Sequence, residues 1–535
     1  MASNLKSYEF PMPRGYYSTQ SDIVGDQYAL EMENFEVFNG LGVRLRGGYR
    51  DVDHVSSLLN ENEYIHYTVG YGEYNHVICL IKDEVAVTGR VIVYDVANDA
   101  VVSDKLDALA FDTPVSHLEV TTGAAGNPVL LFYAANSPLK IQRLLDGNGD
   151  PEVNDYVIEV SGIDFLHNLE FAYTDPSGGV VYNSRLYMFK EGFNTIYYLP
   201  VGLVEGEPVA LNPENIFGVK GTVVRLIVTG FSAGAGVQSW LSCLFDSGDI
   251  LNFNGYNPDS ADDWRVESKV SINVRIYKGF INYGTTAYIM TDLGILDLAR
   301  VIAENGVTTS ASIGMEIDND LRGERDSYRF HMFGERLLVR HVLQSKHFVY
   351  NTRYSSWCKY TNFEVIAGDT LGGNLYFVGK DSSVNNDEFT YGKRLLEGFD
   401  NFNDGGEAII GILHSNWFDM GSNFTKEISY DYMNIGYDGE YEFSIAYDLD
   451  YRRGSHRSFI ELKDTTVSWE EISNQTWSFI KGLLWTGSRS LRVGGWKNTR
   501  AGIGRSISYR ISVSAINSVG FVFSRLKCDY NVGGR

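Results

Sequence analysis

The chain has 535 residues, too many for one ordinary compact core, and its 44% hydrophobic and 21% charged residues are globular usage rather than disordered or fibrous usage. Its formal net charge is −23, so it lacks the excess of Lys and Arg that a general nucleic-acid binder or DNA-wrapping protein needs. The 55 Gly, 35 Tyr and 29 Phe combine turn formers with side chains that favour pleated, half-buried surfaces, which predicts strands joined by turns.

Residues 1–50 read as a loop-rich N-terminal arm, with Pro11, Pro13 and Gly15, that ends in a hairpin. A short alternating piece at 34–37, the turn Asn39-Gly40 and a strand-like run at 42–49 supply the hairpin signal. From about residue 60 to 400 one theme recurs: a short apolar run, a Gly/Asn/Asp turn, and another short apolar run. The groups are 64–69 with 76–81 and 90–96; 128–134 with 139–144; 180–189 with 195–199; 223–229 with 240–245 and 250–252; 277–283 with 287–291 and 294–298; and 329–333 with 336–342 and 347–351. Closely spaced strands with few helical patterns favour a sandwich, barrel or propeller over an α/β fold. Only 294–303 and 469–480 have tolerable helical spacing, and the first fits a strand equally well.

The polar, glycine-rich stretch 391–411 reads as a linker or exposed loop. Strand patterns resume beyond it with a different rhythm, at 429–437, 441–447, 458–462, 490–493, 507–513 and 520–523, as a separate β-sandwich would show. The expected fold is all-β: an N-terminal arm and hairpin (1–50), a β-propeller-like domain of several irregular blades (51–400), and a C-terminal β-sandwich (411–535). Each repeat group would be a blade, roughly five to seven of them.

Cys79, Cys243, Cys358 and Cys528 are far apart in sequence, so neither a CxxC redox motif nor a zinc knuckle can be written and free thiols are expected. No basic segment followed by an apolar run opens the chain, and no stretch approaches ~20 consecutive apolar residues. Neither a signal peptide nor a membrane segment is expected, and synthesis in a reducing cytoplasm is the simplest expectation.

Few motifs point to chemistry. Gly230-Phe231-Ser232-Ala233-Gly234 matches GxSxG, but an apolar strand follows it instead of the helix that a nucleophile elbow needs, which favours a glycine-rich inter-strand loop. Asp146, Asn148 and Asp150 alternate like the ligands of a calcium loop. Pro151 stands where the turn glycine should be and Val157 where the bidentate glutamate should be, so an acidic solvated turn is the better reading. The ten histidines are isolated, without zinc spacing, and His341 and His347 read as strand residues. Acid pairs such as Asp262-Asp263 and Glu470-Glu471 are expected by composition among 68 acidic residues. The tyrosines at 64, 67, 71 and 74, and those at 430, 432, 437, 441, 447 and 451, suit either a sugar- or receptor-binding surface or core and interface packing. No catalytic residue, cofactor or metal site is assigned.

From Asn34-Phe35-Glu36-Val37, through Gly179-Val180-Val181-Tyr182 and Ser356-Trp357-Cys358, to Gly504-Arg505-Ser506-Ile507, an ordered series of short motifs resembles the β-propeller nozzle or hub proteins at the distal end of short phage tails. It opens with Asn34-Phe35-Glu36-Val37 and Gly40-Leu41-Gly42-Val43-Arg44. It continues through Gly179-Val180-Val181-Tyr182-Asn183-Ser184-Arg185-Leu186-Tyr187-Met188, Gly255-Tyr256-Asn257-Pro258 with Trp264, and Thr291-Asp292-Leu293-Gly294-Ile295-Leu296-Asp297-Leu298. Ser356-Trp357-Cys358, Gly372-Gly373-Asn374-Leu375-Tyr376-Phe377, Trp417-Phe418-Asp419-Met420-Gly421 and Gly504-Arg505-Ser506-Ile507 complete it. Gly47 after Arg46, where a proline is common, and Ala299, where a serine is usual, depart from the pattern.

The resemblance implies a structural virion protein, assembled in the host cytoplasm as a homo-oligomer, a hexameric ring, that extends and gates the DNA conduit for genome ejection. Tail adaptor or portal-proximal proteins and tail fibres or spikes would be its partners, with DNA passing through without sequence-specific binding. Gly40, Gly179 and Gly373 are expected to set turn geometry, and Tyr187, Trp264, Trp357 and Tyr376 to pack blades. The rival readings are a tail adhesin or receptor-binding protein, and a glycan depolymerase on a β-propeller.

Overall fold

The structure, a computed structural model, describes residues 5–18, 27–38, 42–83, 85, 88–109, 116–122, 127–133, 139–145, 151–160, 176–204, 206, 208–211, 218–232, 237–260, 262–342, 347–363, 365–379, 392–398, 404–405, 407–420, 424–436, 441–462, 491–493, 497–498, 503–515 and 521–532. Nearly all of its regular structure is β, arranged as a β-propeller followed by paired C-terminal sheets. Among the described residues no helix is long and apolar enough to cross a membrane.

Six small antiparallel sheets stand alone as blades, and a seventh meander of the same kind is continued into a larger sheet. Blade 1 is Glu63–Tyr71, His76–Asp83, Gly89–Asp95 and Ala100–Leu109, and blade 2 is Ser116–Thr122, Asn127–Tyr133, Leu139–Leu145 and Pro151–Val160. Blade 3 is Gly178–Tyr182, Arg185–Phe189, Ile196–Tyr198 and Val209–Leu211, and blade 4 is Val223–Ser232, Val237–Phe245, Asp249–Asn254 and Arg265–Ser271. Blade 5 has three strands, Ile276–Tyr283, Thr286–Thr291 and Gly294–Asp297. Blade 6 is the continued meander, Tyr328–Phe333, Arg336–His341, His347–Asn351 and Ser356–Tyr360. Blade 7 joins Val365–Leu371, Asn374–Gly379 and Arg394–Gly398 to a strand from the start of the chain, Tyr49–Asp51.

The first strands of blades 2 to 7 touch in sequence and blade 7 touches blade 1, while Tyr71 and His76 of blade 1 meet Tyr156 of blade 2. The ring is closed. Because each blade is covered on both faces by its neighbours, its middle strands read as unbroken apolar runs such as HVICLIKD and GRVIVYD, buried throughout or nearly so. The hairpin of blade 3 turns through Asn183 and Ser184, both left-handed at φ 47° and 61°, the conformation that a two-residue primed turn requires. The segment 294–303 is strand and then helix: Asp297 ends the strand, and its side chain caps helix Leu298–Ala303 by accepting from the backbone N–H of Ala299 and Arg300. The other helix expectation, 469–480, lies outside the described residues.

The C-terminal strands form two sheets. One contains Ile409–Ser415, Ile507–Ala515, Tyr441–Leu449 and Arg452–Leu462, and is joined to blade 6 by Ala29–Glu33, which pairs in parallel with Ser356–Tyr360 at Glu33 and Lys359. The other runs Phe35–Phe38, Gly42–Leu45, Val522–Val532, Lys426–Gly436 and Leu491–Val493, with Leu5–Phe10 also paired to Val522–Val532. Phe35, Phe443, Ile445, Ile511, Phe521 and Phe523 belong to a single buried cluster that extends through Tyr360 and Phe363 into blades 6 and 7.

The domain division read from sequence needs redrawing at both edges. The described strands within residues 5–51 are no separate arm, because their backbone groups find partners in the C-terminal sheets and in blade 7. The stretch 391–411 is no simple linker, since Arg394–Gly398 is a buried blade strand.

Two buried ionic knots fasten these parts. Arg46 is fully buried, and all five of its N–H groups are used. Nη1 and Nη2 donate to Asp404 at 2.8 and 2.5 Å, Nε to Asn34 Oδ1 at 2.8 Å, and the remaining two to Gly47 O at 2.9 Å and Thr361 O at 3.2 Å. The Asn34 side chain in turn donates to Thr361 Oγ1 and Ile410 O, both at 2.8 Å, and its φ of 56° is tolerated because asparagine enters the left-handed region readily. In the second knot Glu36 accepts from Arg336, Arg44 and the Tyr360 hydroxyl. Burial raises the Glu36 carboxyl, but the hydrogen bonds and charges of Arg336 and Arg44, with the Tyr360 hydroxyl, outweigh it and hold the group at about 2.

Removing one member of a buried pair strands the other. Arg46→Met is expected to cost about 3–5 kcal/mol in urea unfolding, with Asp404 left unpaired. For Glu36 the folded value lies below the unfolded one, so its contribution is complete above pH 4.5 and is lost as pH falls toward about 2. Glu36→Gln is therefore expected to reduce the loss of stability over that acid window by about 3 kcal/mol, read from unfolding curves of both proteins at stepped pH.

Candidate functional site on the propeller axis

The first strand of each blade faces the axis, and polar side chains in otherwise apolar strands project there. Tyr67 of blade 1 bonds through its hydroxyl to His117 Nδ1 of blade 2 at 3.0 Å, and His117 Nε2 lies 3.5 Å from Asp369 Oδ2 of blade 7. Asp369 also accepts from the backbone N–H of Gly70 at 3.0 Å and Thr370 at 2.8 Å. Position 70 suits glycine because a Cβ there would stand 3.1 Å from Thr370 O and 3.2 Å from Leu371 Cβ. From blade 4, Arg225 lies over the Phe280 ring at 4.0 Å and near the Phe189 ring at 5.7 Å. Lys278 of blade 5 pairs with Glu191 at 2.6 Å, and Arg329 of blade 6 donates to Asp326 O at 2.6 Å and Tyr328 O at 3.0 Å.

Tyr67, His117 and Asp369 have the order of a nucleophile, base and orienting acid, but the electrostatics oppose catalysis. Burial pushes the Tyr67 phenol up, and Asp369 adds to the rise, whereas an activated nucleophile needs its pKa lowered. Burial also raises Asp369, yet its bond with His117 and the backbone N–H groups of Gly70 and Thr370 hold it below the ordinary carboxylate range. The arrangement joins blades 1, 2 and 7 with a charged hydrogen-bond chain.

A cleft of about 700 Å³ opens beside blades 5 and 6, lined by Arg275, Tyr277, Asp292, Asp318, Arg322 and Arg325 among others. Its groups satisfy one another: Arg325 bonds Asp318 at 2.7 Å and Thr291 O at 2.6 Å, Arg322 bonds Asp318 at 3.1 Å, and Tyr277 donates to Asp292 at 2.7 Å. Among the described residues no group of three or more His, Cys, Asp or Glu side chains is placed to hold a metal ion.

The residues singled out from sequence are dispersed. Tyr187 and Trp264 stack at 5.8 Å between blades 3 and 4, and Phe253 stacks on the same indole at 5.4 Å. Trp357 is buried in blade 6 and donates from Nε1 to Ile313 O at 2.6 Å, while Tyr376 in blade 7 donates to Glu397 at 2.9 Å. A Cβ at Gly179 would collide with the Tyr133 hydroxyl and stand 2.9 Å from Tyr187 O, and Gly373 holds φ 91° in open space. Gly40, the Asp146, Asn148 and Asp150 loop, and Glu470-Glu471 lie outside the described residues. Around GxSxG, Val223–Ser232 and Val237–Phe245 form an antiparallel hairpin with Ser232 opposite Val237. Asp263 accepts from the backbone N–H of Tyr256 and Asn257 in a turn. The four cysteines are free and buried; burial raises Cys79 to about 12 and lifts Cys243 and Cys358 well above the ordinary thiol value, so these three are not activated thiols. His117, Arg225, Arg329 and Asp369 were not singled out; a charged residue interrupting the apolar first strand of a blade, as in Val223-Val224-Arg225-Leu226-Ile227, is the signal that marks them.

No protein-family model and no curated protein matches the chain. Among solved structures, Sqt1 of Saccharomyces cerevisiae is 11% identical with a TM-score of 0.37, covering 67% of this chain and 100% of its own. YCF48 from Cyanidioschyzon merolae is 10% identical with a TM-score of 0.38, covering 65% and 98%. A putative 6-phosphogluconolactonase from Bacteroides fragilis is 12% identical with a TM-score of 0.30, covering 64% and 99%. Likenesses this distant carry no functional argument.

Asp369→Ala leaves the Gly70 and Thr370 N–H groups without their acceptor and is expected to cost about 1–3 kcal/mol in chemical denaturation. Asp262→Ala, at an exposed position, is expected to stay within about 0.5 kcal/mol of the parent.

Proposed function

We propose that this chain is a structural component of a tailed-phage virion, a nozzle or hub at the distal end of the tail that extends and gates the DNA conduit. The observation that carries the proposal is the stitching of residues 5–51 through both parts of the molecule. One strand closes blade 7, another bridges blade 6 to the sandwich, and two more, with Leu5–Phe10, complete the second sheet. Pairings of this kind tie the described strands of propeller and sandwich to one another. The ordered motifs support the same reading, since Asn34, Glu36, Arg44 and Arg46 from its opening segment are the residues of the two buried knots.

In this reading the conduit for duplex DNA lies between copies in a ring and not through one propeller, whose blades 1, 2 and 7 are drawn together by Tyr67, His117 and Asp369. A closed cyclic assembly builds such a passage from one repeated interface. The net charge of −23 suits a wall that does not retain DNA.

Electron microscopy of the purified full chain, and of virions labelled at its C-terminus, tests the proposal. A six-fold ring at the distal end of a short tail is the expected result. A monomer or trimer on peripheral fibres would overturn it in favour of an adhesin, and turnover of capsular or O-antigen polysaccharide would overturn it in favour of a depolymerase.

A further inference from the structure

At one end of the sandwich the hairpin of Tyr441–Leu449 and Arg452–Leu462 turns through Asp450 and Tyr451, left-handed at φ 49° and 62°. A two-residue turn of this kind ordinarily takes Asn, Asp or Gly, and a bulky tyrosine at its second position carries strain that glycine would not. The Tyr451 ring packs against Trp417 with centroids 4.6 Å apart and 36° between the planes, yet the residue remains 66% exposed, so its other face meets solvent. The strain is therefore not repaid by burial of the ring.

Polar groups with bonding capacity to spare surround the two rings. Phe418 is buried and exchanges backbone hydrogen bonds with Ile507 at 2.9 and 3.0 Å, while Trp417 and Asp419 on either side of it turn the other way. The Ser506 hydroxyl donates to Asp419 Oδ1 at 2.8 Å, and the backbone N–H groups of Arg505 and Ser506 donate to Asp450 Oδ1 at 2.7 and 3.0 Å. These bonds draw the segments of Trp417, Tyr451 and Arg505 together. Glycine at 504 permits the approach, since a Cβ there would stand 3.1 Å from Leu449 Cβ. Among the described residues the Trp417 indole N–H, the Tyr451 hydroxyl, Asp419 Oδ2 and the Arg505 guanidinium have no hydrogen-bond or ion-pair partner.

We infer that Trp417 and Tyr451 form a platform that binds a pyranose saccharide, with Asp419 and Arg505 at its rim. The C–H face of a pyranose ring is apolar and lies flat on an aromatic ring, while its hydroxyls require both acceptors and donors at the edge. A carboxylate oxygen supplies the first, and a guanidinium and an indole N–H supply the second. A second copy of the chain fits less well, because an aromatic ring buries about 150–250 Å² where a stable protein interface takes about 800 Å² from each partner. A nucleic-acid base would also stack, but the net charge of −23 opposes its phosphate backbone. The inference goes beyond the proposed role in a tail and does not rest on it, since saccharide binding without turnover requires no ring and excludes none.

The test is calorimetric titration of the full chain with maltose, lactose and N,N′-diacetylchitobiose, and with sorbitol, a linear polyol that has no ring face. Saturable binding of at least one disaccharide, with a dissociation constant on the order of 1 mM, and none of sorbitol are expected. Trp417→Ala and Tyr451→Gly are each expected to weaken that binding about tenfold or more. Tyr451→Gly also relieves the left-handed turn, so its melting temperature is expected to equal or exceed that of the parent. Phe193→Ala, at a 50% exposed position beside blade 3, is expected to leave binding unchanged. Absence of saturable binding for all three disaccharides overturns the inference, as does binding of sorbitol equal to theirs. A lowered melting temperature of Tyr451→Gly with binding undiminished overturns it in favour of a packing role. Dissociation of a parent oligomer by Tyr451→Gly in sedimentation velocity, without saccharide binding by the parent, overturns it in favour of a second copy.

Discussion

Asp404 facing Arg46 in a dry interior is the constraint around which the molecule is organised. A guanidinium can be buried at tolerable cost only when every N–H has a partner and the counter-charge is held in a fork geometry. Meeting that condition here takes the side chains of Asn34 and Asp404 and the carbonyls of Gly47 and Thr361. Those residues belong to the N-terminal hairpin, to the exit of blade 6 and to the segment between blade 7 and the sandwich. The Tyr360 and Phe363 rings lie 5.3 and 5.1 Å from the same guanidinium and exclude water from it. Satisfying one charge therefore fixes the relation between the two domains.

The axis is organised on a different principle. Aromatic rings and glycines bring blades into close approach, and charged groups are spread unevenly around the ring. On the side of blades 1, 2 and 7 they neutralise one another through Tyr67, His117 and Asp369. On the side of blades 4 to 6, Lys278 pairs with Glu191, while Arg225 rests against the Phe280 and Phe189 rings and Arg329 against backbone carbonyls. The polarity of the propeller thus has a direction, although its strand pattern is close to a repeat.

Much of the architecture was legible in the sequence because blade strands are short, apolar and punctuated by Asn, Asp and Gly. The six repeat groups each coincide with strands of one blade, and the unbroken apolar runs betray burial on both faces. What escaped was long-range. Tyr49–Asp51 belongs to blade 7 through pairing with Arg394–Gly398, and no local pattern announces a partner so far along the chain. Asp404 looked like one acid in a glycine-rich linker, although it is 7% exposed and bonded to Arg46. Of the axial site, Tyr67 was visible as an aromatic, but its convergence with His117 and Asp369 is a property of ring closure that spacing alone does not encode.

The pairing of Leu5–Phe10 with Val522–Val532 bears on how the chain reaches this state at all. Glu9 and Arg525, which are ion-paired at 2.6 Å, stand 516 positions apart. At synthesis rates of about 5–20 residues per second, the first strand waits on the order of a minute for its partner to be made. Through that interval the early strands present open edges, and the gap in blade 7 cannot be occupied until Arg394–Gly398 exists. Ring and sandwich therefore close late and together, which makes this a slow folder that depends on protection of nascent edges from their neighbours.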